Sequence, residues 1–364
     1  MGTGEPSHSL LASRLTLHGL FLVLALLYLV SLTGCALPDS TQPVVKIGLI
    51  APLEGWYRAR GYDALWAVRL AIQEANRAGG VAGYQVELVA LDDHLSPYWA
   101  SHRARELVAD PAVMGVVGGF SPAAVQAARP ACSKAGLPLI TTASMKAQGG
   151  IFVVAPPPDA LARAAADRIC QSQEEVRVVI LYSERQEAWI EALQKRAEIT
   201  EVKLDDSSWP DAVFRVHPDW VICTARTHLG GEVLRQARDE GLLFMGGPEF
   251  GTGCFRGMAG NAVEDTWFVT GAPRFEDLRD APEFLSAYRE LGGHKPGPDA
   301  MLAYDATRVL LAALAEDIQR EGYPTRQGVW RSLAEVSISG VTGTISFDRS
   351  GARGQAPVWI YDVD

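Results

Sequence analysis

The chain has 364 residues, of which 48% are hydrophobic and 21% are charged. This composition excludes a disordered chain, and the length exceeds the ~250–300 residues that one core organises, so we expect two lobes. The formal net charge of −10 excludes a protein whose main partner is nucleic acid, because binding phosphates requires a basic face.

The N-terminal segment has the pattern of an export signal. Residues 20–30 form the apolar run LFLVLALLYLV, which suits the core of a secretory signal and is shorter than the ~20 residues of a spanning helix. Residues 32–35 (LTGC) then resemble the lipobox of bacterial lipoproteins. That resemblance implies cleavage before Cys35 and lipidation of its thiol. A retained signal anchor, with Cys35 incidental, is the alternative.

The segments that follow from this interpretation are a signal peptide over residues 1–34 and a tether over residues 35–43. The tether is polar and contains proline, as expected of a short leash. No later apolar run is long enough to span a bilayer. We therefore expect an exported protein that is lipid-anchored to the cell membrane and faces the periplasm or the cell exterior.

Strand and helix patterns alternate along the rest of the chain. Apolar and β-branched runs predict strands at residues 44–50, 84–91, 113–117, 138–140, 177–182, 220–223, 242–245, 266–270, 342–347 and 357–361. Helical spacing of apolar residues predicts helices at 61–78, 97–109, after Ser121, and at 159–171, 185–197, 231–240, 282–291, 298–319 and 325–336. This order predicts an α/β fold with parallel sheets covered on both faces.

Four cysteines lie beyond the lipobox. They are Cys132, Cys170, Cys223 and Cys254, and no two have the C-x-x-C spacing of a metal site. An exported protein can form disulfides, yet two of these cysteines lie in helical patterns and one in an apolar strand, which favours buried thiols. We expect no metal and no cofactor.

Seven segments carry a more specific resemblance. In chain order they are IGLIAPLEG, AIQEANRAGGVAGYQVELVALDD, MGVVGGFSPAAVQAA, AGLPLIT, VLRQARDEGL, MGGPEF and GVTGTISFDRSGAR. Downstream of a lipobox, this ordered set resembles the substrate-binding lipoproteins of branched-chain amino acid ABC transporters. These are type I periplasmic binding proteins, the family of leucine/isoleucine/valine-binding proteins.

The resemblance implies two doubly wound parallel-sheet lobes joined by three crossover strands. Residues 44–155 and 272–337 would form lobe 1, and residues 156–271 and 338–364 would form lobe 2. The crossings would fall at residues 154–158, 270–273 and 337–340. The implied function is capture of an amino acid or amino-acid-like molecule by hinge closure and its delivery to ABC permease subunits.

Two loops are candidates for holding a ligand's carboxylate, because ligands of such sheets bind beyond the carboxyl ends of strands, where helices begin. Their residues are Gly119, Phe120 and Ser121 after the third strand, and Thr141, Thr142, Ala143 and Ser144 after the fourth. The resemblance assigns them this role. The alternatives are a plain helix N-cap for Ser121 and turn hydrogen bonds for the two threonines.

Glu249 stands where the family places the acid that pairs with the ligand's α-ammonium group; an exposed loop acid is the alternative. Other positions depart from the family. Pro122 replaces a serine, Glu187 or nearby Trp189 stands at one ligand-stacking aromatic position, and Arg226 stands near another.

The first loop, from Trp56 to Arg60, is bulky and charged where the family has small residues. These departures give the hypothesis that the ligand is more polar than an aliphatic amino acid. A second anionic or amide group would then face Arg58, Arg60 or Arg226. The alternative is that these arginines face solvent.

Enzymatic activity is not expected. The segment GFSPA at residues 119–123 lacks both the second glycine and the backbone N–H that a nucleophile elbow needs, so a hydrolase is disfavoured. A ligand sensor, or a non-transport lipoprotein that retains the fold, is the alternative to a transport protein.

Overall fold

The computed structural model describes residues 42–171, 175–204, 209–225, 227–251, 255, 257, 259–264, 266–278 and 281–363. The predicted signal peptide, Cys35, Arg226 and Cys254 lie outside these residues. Within them, no helix is both long enough and apolar enough to cross a membrane.

The strands are β1 (Val44–Ala51), β2 (Gln85–Asp92), β3 (Val113–Gly118), β4 (Leu139–Thr141), β5 (Ile151–Val153), β6 (Arg177–Tyr182), β7 (Glu198–Lys203), β8 (Trp220–Cys223), β9 (Leu243–Gly246), β10 (Thr266–Thr270), β11 (Ser337–Gly340), β12 (Gly343–Ser346) and β13 (Trp359–Val363). The helices are α1 (Arg58–Arg77), α2 (Pro97–Ala109), α3 (Pro122–Lys134), α4 (Pro158–Ile169), α5 (Glu187–Leu193), α6 (Trp209–Phe214), α7 (Thr227–Asp239), α8 (Pro282–Gly292), α9 (Pro298–Glu321) and α10 (Arg326–Leu333).

The first sheet has the order β2-β1-β3-β4-β5, and all its strands are parallel. Glycines on neighbouring strands show that helices cover both faces. A Cβ at Gly48 would lie 2.5 Å from Leu107 of α2, and one at Gly115 would lie 2.5 Å from Leu310 of α9. Each helix therefore packs directly on the strand backbone, and β3 is buried along its whole length.

The second sheet has the order β13-β10-β9-β8-β6-β7. Alternate residues of β6 face two different hydrophobic clusters, with Val179 and Leu181 in one and Val178 and Ile180 in the other. This alternation is the signature of a sheet that is covered on both sides. The prediction of an α/β fold with two parallel-sheet lobes is confirmed.

Several details differ from the prediction. Strand β13 runs antiparallel to β10 at the edge of the second sheet, and β11 pairs antiparallel with β12. Strands β5 and β7 and helix α6 were not predicted. Strand β7 was missed because its sequence, EITEVK, has no apolar run; its charged residues suit an exposed sheet edge.

The described cysteines are unpaired. Cys132 and Cys223 are buried, and Cys170 is partly exposed. Burial raises the pKa of the Cys132 and Cys223 thiols to about 12. Both therefore behave as small apolar core residues, as the helix and strand patterns predict.

Buried charges hold the chain at two of the three predicted crossings, 154–158 and 337–340. The Asp305 carboxylate on α9 accepts hydrogen bonds from the N–H of Val341 (2.8 Å) and from the N–H (2.8 Å) and hydroxyl (2.6 Å) of Thr342. Arg353 donates to the carbonyl oxygens of Thr342 (2.8 Å) and Val154 (3.3 Å). Gly340 is required beside this network, because a Cβ there would lie 2.5 Å from the Asp305 carboxyl.

We expect Asp305→Ala to lower the free energy of unfolding by about 3 kcal/mol, because it leaves buried donors without an acceptor. Urea denaturation monitored by circular dichroism measures the change. Glu316→Ala is the control, since it removes an exposed carboxylate paired with Arg320 and should change stability by less than about 1 kcal/mol. Equal effects of the two substitutions would contradict the structural role given to Asp305.

Candidate functional site: a cleft at the strand ends

A cavity of about 590 Å³ lies where the carboxyl ends of strands from both sheets meet. Its lining includes residues that directly follow β2, β3 and β4 on one side and β6, β8 and β9 on the other. They are His94, Leu95, Phe120, Ser121, Thr142, Ala143, Ser144, Ser183, Glu184, Thr224, Ala225, Gly247, Pro248 and Glu249. The cavity thus occupies the position that parallel α/β sheets use for ligands, and it is large enough for an amino acid.

The loop after β3 is shaped by two glycines. Gly118 has φ +149°, and a Cβ there would lie 2.2 Å from the Ile50 carbonyl oxygen; Gly119 has φ +72°. Ser121 then caps α3, because its Oγ accepts a hydrogen bond from the N–H of Ala124 at 3.2 Å. Ser121 also lines the cavity. Its N-cap role is therefore real, and it leaves the start of α3 facing the cleft.

The loop after β4 is fastened to the same place. Buried Thr141 donates a hydrogen bond from its hydroxyl to the carbonyl oxygen of Gly119 (2.6 Å) and accepts one from the N–H of Ala143 (3.0 Å). The Ser144 hydroxyl donates to the carbonyl oxygen of Pro156 (2.7 Å). These bonds hold the loop's backbone against the first loop and against the first predicted crossing.

Two threonine hydroxyls stand out on the cavity wall. Thr142 and Thr270 are 7% and 1% exposed, respectively, and both line the cavity. Neither hydroxyl has a hydrogen-bond partner within the described part of the chain. A buried hydroxyl without a partner is unfavourable by about 1–3 kcal/mol, so such groups mark places where a ligand can supply the missing bond.

Glu249 forms part of the opposite wall, in a short 3₁₀ helix at Pro248–Gly251. Its carboxylate folds back over Gly247, where a Cβ would lie 3.2 Å from one carboxylate oxygen. Enclosure by the protein raises the pKa of this carboxyl, and the positive charge of Arg60 opposes the rise. Glu249 is therefore a cleft acid and not an exposed loop acid.

A buried ion pair also lines the cavity. Arg60 donates from Nε to Oδ2 of Asp299 at 2.8 Å and from Nη2 to Oδ1 at 3.0 Å. Their side chains are 11% and 8% exposed. The negative charge of Asp299 also contributes to the raised pKa of Glu249, so the three charged groups act on one another.

The loop after β2 has an unusual backbone. His94 and Leu95 both have positive φ, +51° and +57°, although neither is glycine. Asp93 beneath them accepts a hydrogen bond from the N–H of Leu95 at 3.0 Å, and burial raises its pKa to about 6. Strained backbone of this kind collects at functional sites, and His94 and Leu95 lie on the cavity wall.

The structure brings together some of the predicted site residues and leaves others out. Those on the cavity wall are Phe120, Ser121, Thr142, Ala143, Ser144 and Glu249. Gly119 and Thr141 are not on the wall, but the hydrogen bond between them positions the two loops. Trp56 is 77% exposed and is not on the wall; Tyr57 and Arg60 of the same segment are.

Glu187 is also absent from the wall. It is exposed and forms an ion pair with Arg185, whereas buried Trp189, two residues later, lines the cavity. Arg58 is exposed and likewise off the wall, and Arg226 lies outside the described residues.

Asp299 and Thr270 lie on the wall but were not among the predicted site residues, whereas Trp189 was predicted as the alternative to Glu187. Thr270 was predicted to begin a crossing, which is a signal that it lies near the cleft. Asp299 follows Gly297-Pro298, and this pair of residues predicts the start of a helix. It does not predict that Asp299 contacts Arg60, which lies 239 residues earlier.

Comparisons with known proteins agree with this architecture. The family described as periplasmic binding protein matches residues 44–364. The leucine-, isoleucine-, valine-, threonine- and alanine-binding protein of Pseudomonas aeruginosa is 25% identical over 343 residues, which cover 88% of this chain and 90% of that protein.

Two solved structures are similar in fold. LivJ of Streptococcus pneumoniae, a branched-chain amino acid transporter substrate-binding protein in complex with isoleucine, has a TM-score of 0.78 at 23% identity, covering 88% of this chain and 96% of LivJ. The leucine-binding protein LivK of Thermotoga maritima has a TM-score of 0.79 at 23% identity, covering 88% and 95%. Because the family match extends over the whole two-sheet body, this chain belongs to the periplasmic binding protein family.

Proposed function

We propose that this chain is the extracytoplasmic solute-binding lipoprotein of an ABC importer and binds an amino acid or amino-acid-like molecule in the cleft. The observation that carries the proposal is the opposition of two polarities across one cavity. One wall has the start of α3 and the unpartnered Thr142 hydroxyl, and the other has the Glu249 carboxylate. Such walls suit the two ends of a zwitterion.

The carboxylate end of the ligand would lie against the first wall. Backbone N–H groups and the helix dipole at the start of α3 favour a negative charge there. Pro122 removes one N–H from that first turn, so the Thr142 hydroxyl is the natural additional donor. Thr270, which ends β10 of the second sheet, supplies a hydroxyl elsewhere on the cavity wall.

The α-ammonium end would pair with Glu249. A charge-assisted hydrogen bond in an enclosed site is stronger than one between neutral groups. Binding would also stabilise the ionised form of a carboxyl that enclosure disfavours, so it compensates for the raised pKa of Glu249.

Capture would proceed by closure of the lobes over the ligand, with the division at residues 44–155 and 272–337 against 156–271 and 338–364. Hydrophobic packing supports most of this division, although the segment with Ile338, Val341, Ile345 and Phe347 packs with the first-lobe cluster. Hinge closure around a ligand is a general device of two-lobed binders. The closed form would present a different surface to the permease subunits, and the family relationship supports an ABC transporter as the partner.

We expect Glu249→Gln to weaken amino acid binding at least tenfold, because a neutral amide loses the charge-assisted bond to the ammonium. Thermal shift with the common amino acids identifies the ligand with the largest stabilisation, and calorimetric titration then measures its Kd. Glu264→Gln is the matched control, since Glu264 is exposed and off the cavity wall. An unchanged Kd in Glu249→Gln would contradict the assigned ammonium site.

Binding should also depend on pH in a predictable direction. The ionised form of Glu249 binds the ammonium, so protons compete as the pH falls through its raised pKa. Affinity should therefore decline on acidification from a pH above the usual range of a glutamic acid. Glu249→Gln should abolish this component, while any part due to Asp93 remains. Identical pH profiles of the wild-type protein and Glu249→Gln would contradict the assignment of Glu249 as the ammonium-binding residue.

The lipid anchor is a separate part of the proposal and rests on the LTGC segment at residues 32–35. We expect Cys35→Ser to abolish incorporation of labelled fatty acid and to remove the mature N-terminal lipid from the mass spectrum. Cys170→Ser, which leaves the lipobox intact, should be lipidated normally. An unlipidated wild-type protein that still sediments with membranes would favour the retained signal anchor.

A further inference from the structure

The ion pair of Arg60 and Asp299 limits what kind of ligand the cleft can take. Both residues line the cavity, and both side chains are almost fully enclosed, at 11% and 8% exposure. By contrast, the surface pair of Arg320 and Glu335 has exposures of 36% and 60%. An ion pair held away from water requires good geometry and further hydrogen bonds to be stable.

The packing of two helices positions this ion pair. Arg60 lies in the first turn of α1 and Asp299 in the first turn of α9, and these two helices pack along each other. Asp63 holds the start of α9, since its carboxylate accepts hydrogen bonds from the N–H groups of Gly297 (3.1 Å) and Ala300 (3.0 Å). The Tyr288 hydroxyl donates to the same carboxylate at 2.7 Å. The ion pair is therefore a rigidly positioned part of the cavity wall.

An aliphatic side chain is a poor neighbour for this wall. A closed cleft would press the side chain against the part of the pair that is still exposed, displace water from that part and offer no hydrogen bond in return. Polar groups that are desolvated without a replacement bond reduce binding by about 1–3 kcal/mol each, which corresponds to roughly 5–150-fold in Kd.

An acidic side chain is also disfavoured. Among the described residues, the wall has one positively charged residue, Arg60, and three acidic residues, Glu184, Glu249 and Asp299. His94, also on the wall, contacts the Asp92 carboxylate. Asp299 already neutralises Arg60 through two hydrogen bonds. A ligand carboxylate beside this pair would meet an excess of negative charge.

A carboxamide satisfies both sides of the pair. Its carbonyl oxygen accepts from a guanidinium, and its N–H groups donate to a carboxylate, while it carries no net charge. We propose that the Arg60–Asp299 pair selects an α-amino acid whose side chain ends in a carboxamide over aliphatic and acidic amino acids. This inference rests on the proposed amino-acid-binding function and names the ligand class for the same cleft.

The first test compares ligands that differ only at the end of the side chain. Calorimetry with the full-length protein in detergent should show glutamine or asparagine binding at least tenfold more tightly than norleucine, leucine and glutamate. Equal or tighter binding of an aliphatic or acidic ligand overturns the carboxamide proposal and leaves the amino-acid-binding function standing. No binding of any amino acid overturns both.

The second test changes the wall. Removing one partner would leave a buried charge, so both are replaced, as Arg60→Met with Asp299→Leu. This variant should prefer norleucine over glutamine, whereas Arg320→Met with Glu335→Leu, the matched surface change, should keep the wild-type order. A folded Arg60→Met/Asp299→Leu variant that still prefers glutamine contradicts the proposal. If that variant does not fold, the order of ligands on the wild-type protein decides.

Discussion

The convergence of strand ends from two sheets on one cavity is the constraint on which the rest of the site depends. A parallel strand ends in a loop that leads to a helix, so each carboxyl end brings backbone N–H groups and short polar side chains to the same edge. The first sheet contributes Ser121 and Thr142 in this way, and the second contributes Glu249. Together the two sheets place hydrogen-bond donors and a carboxylate on one cavity.

The local chemistry of the cleft is consistent with a binding site in which a ligand relieves features that are unfavourable for the protein alone. Thr142 and Thr270 have buried hydroxyls without partners among the described residues, and Glu249 has a carboxyl whose pKa is raised by enclosure. His94 and Leu95 hold backbone conformations that side chains disfavour. Each of these features is unfavourable for the protein alone, and all of them line one cavity.

Much of this arrangement could be predicted from the sequence, because its signals are local. The glycines before Ser121 and the short run before Thr141 mark strand ends, and these positions suffice to place two loops on the cleft. Glu249 followed from a resemblance to a family. The structure adds that the hydroxyls of Thr141 and Ser144 donate hydrogen bonds to backbone carbonyl oxygens of neighbouring segments. The sequence does not show this, because it depends on the direction of each side chain.

The pairing of Arg60 with Asp299 could not be predicted, since it joins two helix starts 239 residues apart and depends on how α1 and α9 pack. The sequence also could not decide between Glu187 and Trp189 at the aromatic position, because that depends on which way each side chain points. In the structure Arg185, which also pairs with Glu201, holds Glu187 at the surface, while Trp189 is buried and lines the cavity.

A crystal structure of the protein with its most stabilising amino acid tests the central claim most directly. We expect the ligand's ammonium nitrogen to lie about 3 Å from a Glu249 carboxylate oxygen, and its carboxylate to lie at the start of α3 within hydrogen-bond distance of Thr142. A ligand bound outside the cleft, or one whose ammonium group lies away from Glu249, would contradict it.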